Sequence, residues 1–252
     1  MRTTIQAKLS QVCVKPLSMG AFLVGLCLSG LSAQAYIISD DFAGHALGAP
    51  LNGTVTPTGN ATWVAGLYDF GFASSTGTGT SDYLYAGAYP SGYVGITTAA
   101  TDTVTLQLAI KTNVGWASMK MGPTNDNSPS TADNGLAVMV TPEGVCDVWI
   151  NGGDSYRYAG AQYSYTATGF NQFTLEYNGS TNKLNMWANG VPLLTNAAVT
   201  LPDVIRYAGG FYNTGGASFD DFQVSVVPVP EPATLALLAL GVLTLIRRGR
   251  RD

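Results

Sequence analysis

Apolar and polar positions alternate with a period of two along most of the chain. The clearest runs are Thr103–Lys111, Trp116–Met121, Leu136–Val140, Val145–Asn151, Gln172–Asn178, Lys183–Ala188 and Phe219–Val227. Side chains two apart share one face of a strand, so each run predicts a strand buried on one side. β-branched and aromatic residues dominate these runs, as a half-buried pleated surface requires. Turn formers separate them, as in Pro142-Glu143-Gly144 and Asn178-Gly179-Ser180. No long helical period interrupts the series. The pattern predicts an all-β fold, a two-sheet antiparallel sandwich or jelly roll. Ala73–Ser81 and Asn125–Asn134, rich in Ser, Thr, Gly and Asn, read as long surface loops.

The two ends break this pattern. Arg2, Lys8 and Lys15 precede an apolar stretch from Leu17 to Leu31, and Ala33-Gln34-Ala35 has the small-x-small form that signal peptidase cuts. Ala33, Ala35 and Tyr36 therefore define the expected cleavage site, with residues 1–35 a signal helix and Tyr36 the mature start. An uncleaved N-terminal anchor is the alternative. At the other end, Pro228, Pro230 and Pro232 precede an uncharged segment from Ala233 to Ile246, followed by Arg247, Arg248, Arg250 and Arg251. As a helix those fourteen residues span roughly 21 Å at about 1.5 Å per residue. A bilayer core is about 30 Å thick, so the segment is short for a permanent span. The arginines favour the cytoplasmic side and place the preceding chain outside. From physics alone the segment reads as a short membrane anchor.

Val229-Pro230-Glu231-Pro232-Ala233-Thr234, the apolar run and the arginine cluster together resemble the PEP-CTERM sorting signal of bacterial exported proteins. The resemblance covers roughly residues 228–251. It implies recognition by exosortase, a membrane-embedded cysteine-peptidase-like enzyme, with cleavage near Pro-Glu-Pro. It further implies an inner-membrane-anchored intermediate, then delivery to the cell surface or an extracellular polysaccharide matrix. A transient anchor can be short. The expected organisation is residues 1–35 as signal peptide, 36–227 as a β-sandwich domain and 228–252 as sorting segment.

Removing the ends changes the charge and cysteine arithmetic. Fourteen of the sixteen acids lie in the central domain, against five bases (Lys111, Lys120, Arg157, Lys183 and Arg206), a net charge near −9. No basic patch exists to neutralise phosphates, which argues against a nucleic-acid partner. Cys13 and Cys27 belong to the leader, so Cys146 stands alone and forms no intramolecular disulfide. It shares a predicted strand face with Val148 and Ile150, the pattern of a buried thiol. His45 lies far from it in sequence, which gives little support to a Cys/His pair.

The stretch FTLEYNGSTNKLNMWANGVPL, Phe173 to Leu193, resembles the late hairpin of laminin-G-like, concanavalin A-like jelly rolls. SFDDFQVSVV, Ser218 to Val227, is similar to their closing strand, and an opening Asp40-Asp41-Phe42 is expected to pair beside it. This resemblance implies a two-sheet jelly roll with a sugar-related role and assigns no site. The related glucanases carry a Glu-x-Asp-x-x-Glu strand motif, which is absent here. No Gly-x-Ser-x-Gly elbow, zinc motif or phosphate loop is present. Glycoside hydrolysis needs two carboxylates about 5–10 Å apart, and no acids are spaced for that on a predicted strand. A non-enzymatic, polysaccharide-binding domain is the expectation; a ligand-free structural envelope protein and a divergent glycoside hydrolase or lyase are the alternatives.

Alternation nominates the binding residues. If Cys146, Val148 and Ile150 face the core, Asp147 and Trp149 face outward. If Leu184 and Met186 face the core, Asn185 and Trp187 face outward. Two tryptophans beside an Asp and an Asn suit the concave face of a jelly roll; packing under loops is the other account of them. Tyr156, Tyr158, Tyr163 and Tyr165 form a second aromatic set around Arg157. Apart from a structural Ca2+, the residues nominate no cofactor. A structural Ca2+ would need several oxygen ligands; Asp40, Asp41, Asp220 and Asp221 would supply them if the end strands pair, and Asp126, Asn127, Asp133 and Asn134 are a loop alternative.

Overall fold

The computed structural model describes residues 34–43, 51–64, 91–112, 115–125, 135–150, 161–162, 169–212, 217–229 and 240–241. The expected signal helix, nearly all of the sorting tail, His45, both long loops beyond Asn125 and the Tyr156–Tyr165 set lie outside these residues. Two compact units partition the chain, Gln34–Val229 and a second made of Met1–Ala33 with Pro230–Asp252. Of the second, residues 240 and 241 alone are described, and they are helical. Among the described residues no helix is long and apolar enough to cross a membrane.

Gln34–Val229 builds two antiparallel sheets. The six-stranded sheet has the order β1 (Tyr36–Asp40), β13 (Ala217–Val227), β4 (Thr103–Thr112), β9 (Asn171–Asn178), β10 (Lys183–Ala188), β11 (Val191–Ala198). The seven-stranded sheet has the order β2 (Trp63–Val64), β3 (Ser91–Gly95), β12 (Tyr207–Tyr212), β5 (Ala117–Gly122), β6 (Leu136–Val140), β7 (Val145–Ile150), β8 (Ala161–Gln162). Every neighbouring pair is antiparallel. This is the two-sheet jelly-roll sandwich that the alternating runs predict.

The core lies between the sheets and follows the alternation. Val104, Leu106, Leu108 and Ile110 of β4 meet Phe173 and Leu175 of β9 and Leu184 and Met186 of β10 on one side; Met119, Met121, Val138, Cys146 and Val148 fill the other. Each fully buried aliphatic or aromatic side chain contributes about 1.5–3 kcal/mol, and the whole layer lies within Gln34–Val229. Cys146 is a buried free thiol, pushed up to about 12 mainly by loss of solvent, with the neighbouring Asp147 charge adding.

The chain closes on itself as expected. β1 lies beside β13 with Tyr36 opposite Val226 and Asp40 opposite Phe222. The outer edge of β1 is covered by an isolated bridge from Ser39 to Thr58. Gly59, at φ +84°, lets that loop press close: a Cβ there would meet the Ile37 carbonyl oxygen at 2.7 Å. Between β13 and β4 the ladder slips between Asp220 and Gln223, a bulge in which Asp221 takes φ +49°. The bulge turns Asp221 to solvent and Phe222 into the core.

Candidate functional site

The two nominated tryptophan pairs do not share a face. Asp147 and Trp149 are on β7 of the seven-stranded sheet, and Asn185 and Trp187 on β10 of the six-stranded sheet. Within each strand the alternation holds: Cys146, Val148 and Ile150 are in the core, as are Leu184 and Met186. The outward faces of two packed sheets point away from each other, so the single concave platform expected from sequence is corrected to two separate surfaces.

On the seven-stranded sheet, register sets one row across five strands: Tyr93, Gly209, Lys120, Ala137 and Trp149. Gly209 and Ala137 lack bulk, and the Lys120 ammonium lies over the Tyr93 ring, 6.0 Å from its centroid. Lys120, Tyr93 and Asp147 are buried, while Trp149 is half-buried. Asp147 is thus directed away from the core as expected but is only 3 % exposed. Ser118, in the next row, donates to the Val138 carbonyl at 2.7 Å.

On the six-stranded sheet the outward face is open. Its central row is Ser39, Gln223, Gln107, Thr174 and Trp187, one residue from each of five adjacent strands. All five are half-buried. The next row holds Ser225, Thr105, Glu176 and Asn185. Asn185 is engaged within it: its amide donates to Glu176 at 2.9 Å and its oxygen accepts from the Asn196 N–H at 2.7 Å. A trough of about 450 Å3 opens at one end of this face. Gln107, Gln172 and Gln223 line it from three adjacent strands, with Ser39 and Thr58 along the β1 edge and Asp41 and Asp221 at its end. Gln172 is held by its backbone to the Asn189-Gly190 turn, which accepts from Gln172 N–H through Asn189 Oδ1 at 2.9 Å. These glutamines sit at outward positions of runs whose alternation was legible; nothing in the sequence showed that Gln223 would pair with Gln107, or that Gln172, opposite Ala109, would reach the same trough.

The four aspartates nominated for calcium lie at this same end but do not form one ligand set. Asp40 is buried and turned toward the core, where its carboxylate accepts from the Trp63 indole N–H and from the Phe42 N–H, each at 2.8 Å. Trp63 in turn packs on Phe222 at 4.7 Å between ring centroids. Asp41 accepts from Ala43 N–H at 3.1 Å and Asp220 from Asp221 N–H at 2.8 Å. Burial, then the charges of Asp221 and Asp41, raise the Asp220 carboxyl above the ordinary range. Among the described residues no group of three or more His, Cys, Asp or Glu is arranged to hold a metal ion. The loop alternative falls outside the described residues.

The two glutamates of the domain are also separated. Glu143 is exposed in the β6–β7 turn, its carboxyl lowered first by the Thr141 hydroxyl. Glu176 belongs to the outward face of the other sheet.

Of the residues nominated for processing, Ala35 is exposed immediately before β1. The Tyr36 hydroxyl donates to the Thr97 carbonyl at 2.6 Å and accepts from the Thr97 N–H at 2.8 Å, and burial raises its pKa. Val229, the first residue of the nominated sorting signal, donates its N–H to the buried Asp102 carboxylate at 3.4 Å. Asp102 also accepts from Ala99 N–H at 2.7 Å. Ala33, Pro230, Glu231, Pro232, Ala233, Thr234 and the four tail arginines lie outside the described residues.

Residues 228–251 match the family described as "PEP-CTERM protein-sorting motif". The comparison with curated proteins returned no match. Among solved structures, the chain is similar to the Emp47p carbohydrate recognition domain, at 13% identity over 76% of this chain and 97% of that one, with a TM-score of 0.48. A Bacillus subtilis protein of unknown function with a galectin-like fold is 13% identical over 66% and 90%, TM-score 0.48. An endo-1,3-beta-glucanase from Streptomyces sioyaensis is 14% identical over 78% and 98%, TM-score 0.44. The chain carries a PEP-CTERM sorting motif directly behind an all-β, two-sheet jelly-roll domain.

Proposed function

We propose that this is an exported bacterial protein of the cell surface or extracellular matrix. Exosortase processes its tail, and its jelly-roll domain binds polysaccharide without cleaving it. The observation that carries the sorting half is the motif at residues 228–251, which begins one residue after β13 ends at Val227. The binding half is supported by an open sheet face of hydroxyl, amide and indole groups, chemistry that suits sugar hydroxyls and C–H faces. The non-catalytic reading is supported by the separation of Glu143 and Glu176, since glycoside hydrolysis needs a carboxyl pair across one bond.

The test has two arms. Full-length protein, followed in an exosortase-bearing host, should be cut at both ends and reach the surface or medium. Replacing Pro230, Glu231 and Pro232 with alanine should leave an uncut, membrane-held form; normal processing of that variant would overturn the sorting half. The purified protein spanning 36–229 should bind polysaccharide and release no reducing ends. Release of new ends would restore the hydrolase or lyase reading. Failure to bind across a broad panel would leave the structural envelope protein, a reading favoured by the burial of Asp147.

A further inference from the structure

We infer that the outward face of the six-stranded sheet is the ligand face, and that it takes a neutral, hydroxyl-rich polysaccharide laid across the strands through the Gln107–Gln172–Gln223 trough toward Trp187. The inference rests on the polysaccharide reading above and specifies its surface and substrate class.

Register provides the first argument. Ser39, Gln223, Gln107, Thr174 and Trp187 form one continuous row over β1, β13, β4, β9 and β10. With strands about 4.8 Å apart, that row is roughly 19 Å long. This length accommodates several sugar units of an extended chain. The trough of about 450 Å3 at its glutamine end is within the range of binding clefts.

Unused hydrogen-bonding capacity provides the second. Each glutamine amide offers one acceptor and two donors. Among the described residues, the side-chain amides of Gln107, Gln172 and Gln223 make no hydrogen bond to protein, whereas Asn185 on the same face is engaged on both sides. Three adjacent amides able both to donate and to accept match vicinal hydroxyls, which do the same. The Trp187 indole supplies an apolar plate in line with them.

Charge selects the ligand class. Among the described residues no cation lines the trough, and Asp41 and Asp221 close its end. Asp220 beside them holds its proton more tightly than usual, in part because those two charges face it. In a domain of net charge near −9, an anionic polymer would be repelled here. The opposite sheet offers a poorer surface: its outward Tyr93, Lys120 and Asp147 are all under 5 % exposed.

The experiment uses the protein spanning 36–229, titrated by calorimetry and affinity electrophoresis. The probes are dextran, a β-1,3-glucan, a mannan and a galactan as neutral polymers, and alginate and hyaluronate as anionic ones. Gln107→Ala with Gln223→Ala, and separately Trp187→Ala, should each weaken binding to the preferred neutral polymer at least tenfold, while Trp149→Ala leaves it unchanged. Thr174→Arg, a bulky exposed change in the middle of the row, serves if either variant has a lowered melting temperature. Binding lost in Trp149→Ala and retained in the others overturns the face and leaves the polysaccharide reading standing. Binding only to alginate or hyaluronate overturns the substrate class alone. No binding of wild type to any polymer overturns both.

Discussion

Replacing Asp40 with alanine should cost the domain about 3 kcal/mol, far more than an ordinary surface acid. The residue is 2 % exposed and, among the described residues, its carboxylate accepts from the Trp63 indole N–H and the Phe42 backbone N–H, each at 2.8 Å. Alanine leaves both donors inside. Trp63 is itself 2 % exposed and wedged between Phe42 and Phe222, so water has no ready route to it. A stranded buried donor costs about 1–3 kcal/mol. Two of them cost about 2–6, from which the relieved desolvation of the carboxylate subtracts. In urea, with a slope of about 2 kcal/mol/M, the midpoint should fall by about 1.5 M with the slope unchanged. Asp40→Asn keeps one acceptor and should fall between alanine and wild type. Trp63→Phe removes the indole donor, so combining it with Asp40→Ala should cost at least 1 kcal/mol less than the sum of the singles, roughly the coupling expected of contacting residues. A loss below about 1 kcal/mol for Asp40→Ala, or strict additivity, would refute the assignment of Asp40 as the core-facing latch of β1.

Two further outcomes follow from titrating groups. Asp220 has a raised pKa in the fold, so the folded state binds its proton more tightly than the unfolded chain, and stability is lost as pH rises through the folded value. Asp220→Asn retains the acceptor for the Asp221 N–H and should raise the melting temperature at pH 7, with the difference vanishing below about pH 3.5; equal shifts at both pH values would count against the carboxylate cluster as the cause. Cys146, with its pKa near 12, should resist iodoacetamide at pH 8 in the folded domain and react readily in concentrated urea. Matching rates in the two conditions would place the thiol at the surface.

The strands were legible where burial is one-sided. Leu136–Val140 and Lys183–Ala188 keep their sequence-derived bounds, because each begins and ends at turn chemistry; the second alternates without a break, and the first is a short apolar run buried almost throughout. β11 was not legible: it is an edge strand, largely exposed, carrying Pro192 and almost no alternation. β12 was hidden by Gly209 and Gly210, which weaken any strand signal. The structure supplies their reason: a Cβ on Gly209 would lie 2.0 Å from the Gly92 carbonyl oxygen, so the pairing of β3 with β12 demands a glycine. Faces could be read but sheets could not. Alternation fixes in against out for Trp149 and Trp187, while the crossovers that place β7 and β10 in different sheets leave no local trace. For the same reason Asp40 looked like its neighbour Asp41. Only the register of Asp40 against Phe222, beside Trp63, distinguishes a buried acceptor from an exposed acid. The glutamines of the trough passed as ordinary solvent-facing filler, since strands distant in sequence pair Gln223 with Gln107 and bring Gln172, opposite Ala109, to the same trough.

β1 and β13 run antiparallel with Tyr36 opposite Val226, so the start of β1 and the end of β13, which the PEP-CTERM motif follows in sequence, occupy one end of the ladder. Asp102 strengthens that end by accepting from both Ala99 and Val229. Ser39 and Gln223 lie three residues further along, about 10 Å at roughly 3.3 Å per residue, and Asp41 and Asp221 lie beyond them. The trough therefore lies toward the end of the strands away from Val229. A domain fixed through its C-terminus should keep its ligand face clear. This is measurable with the protein spanning 36–229 on a sensor surface, biotinylated either after Val229 or at a cysteine introduced by Thr58→Cys on the trough's rim. The buried Cys146 does not compete for the label. Tail attachment should reproduce the solution affinity for the neutral polymer within about twofold, and rim attachment should weaken it at least tenfold, about 1.4 kcal/mol. The reverse order would mean that the polymer enters from the tail end, and that the trough is not its path.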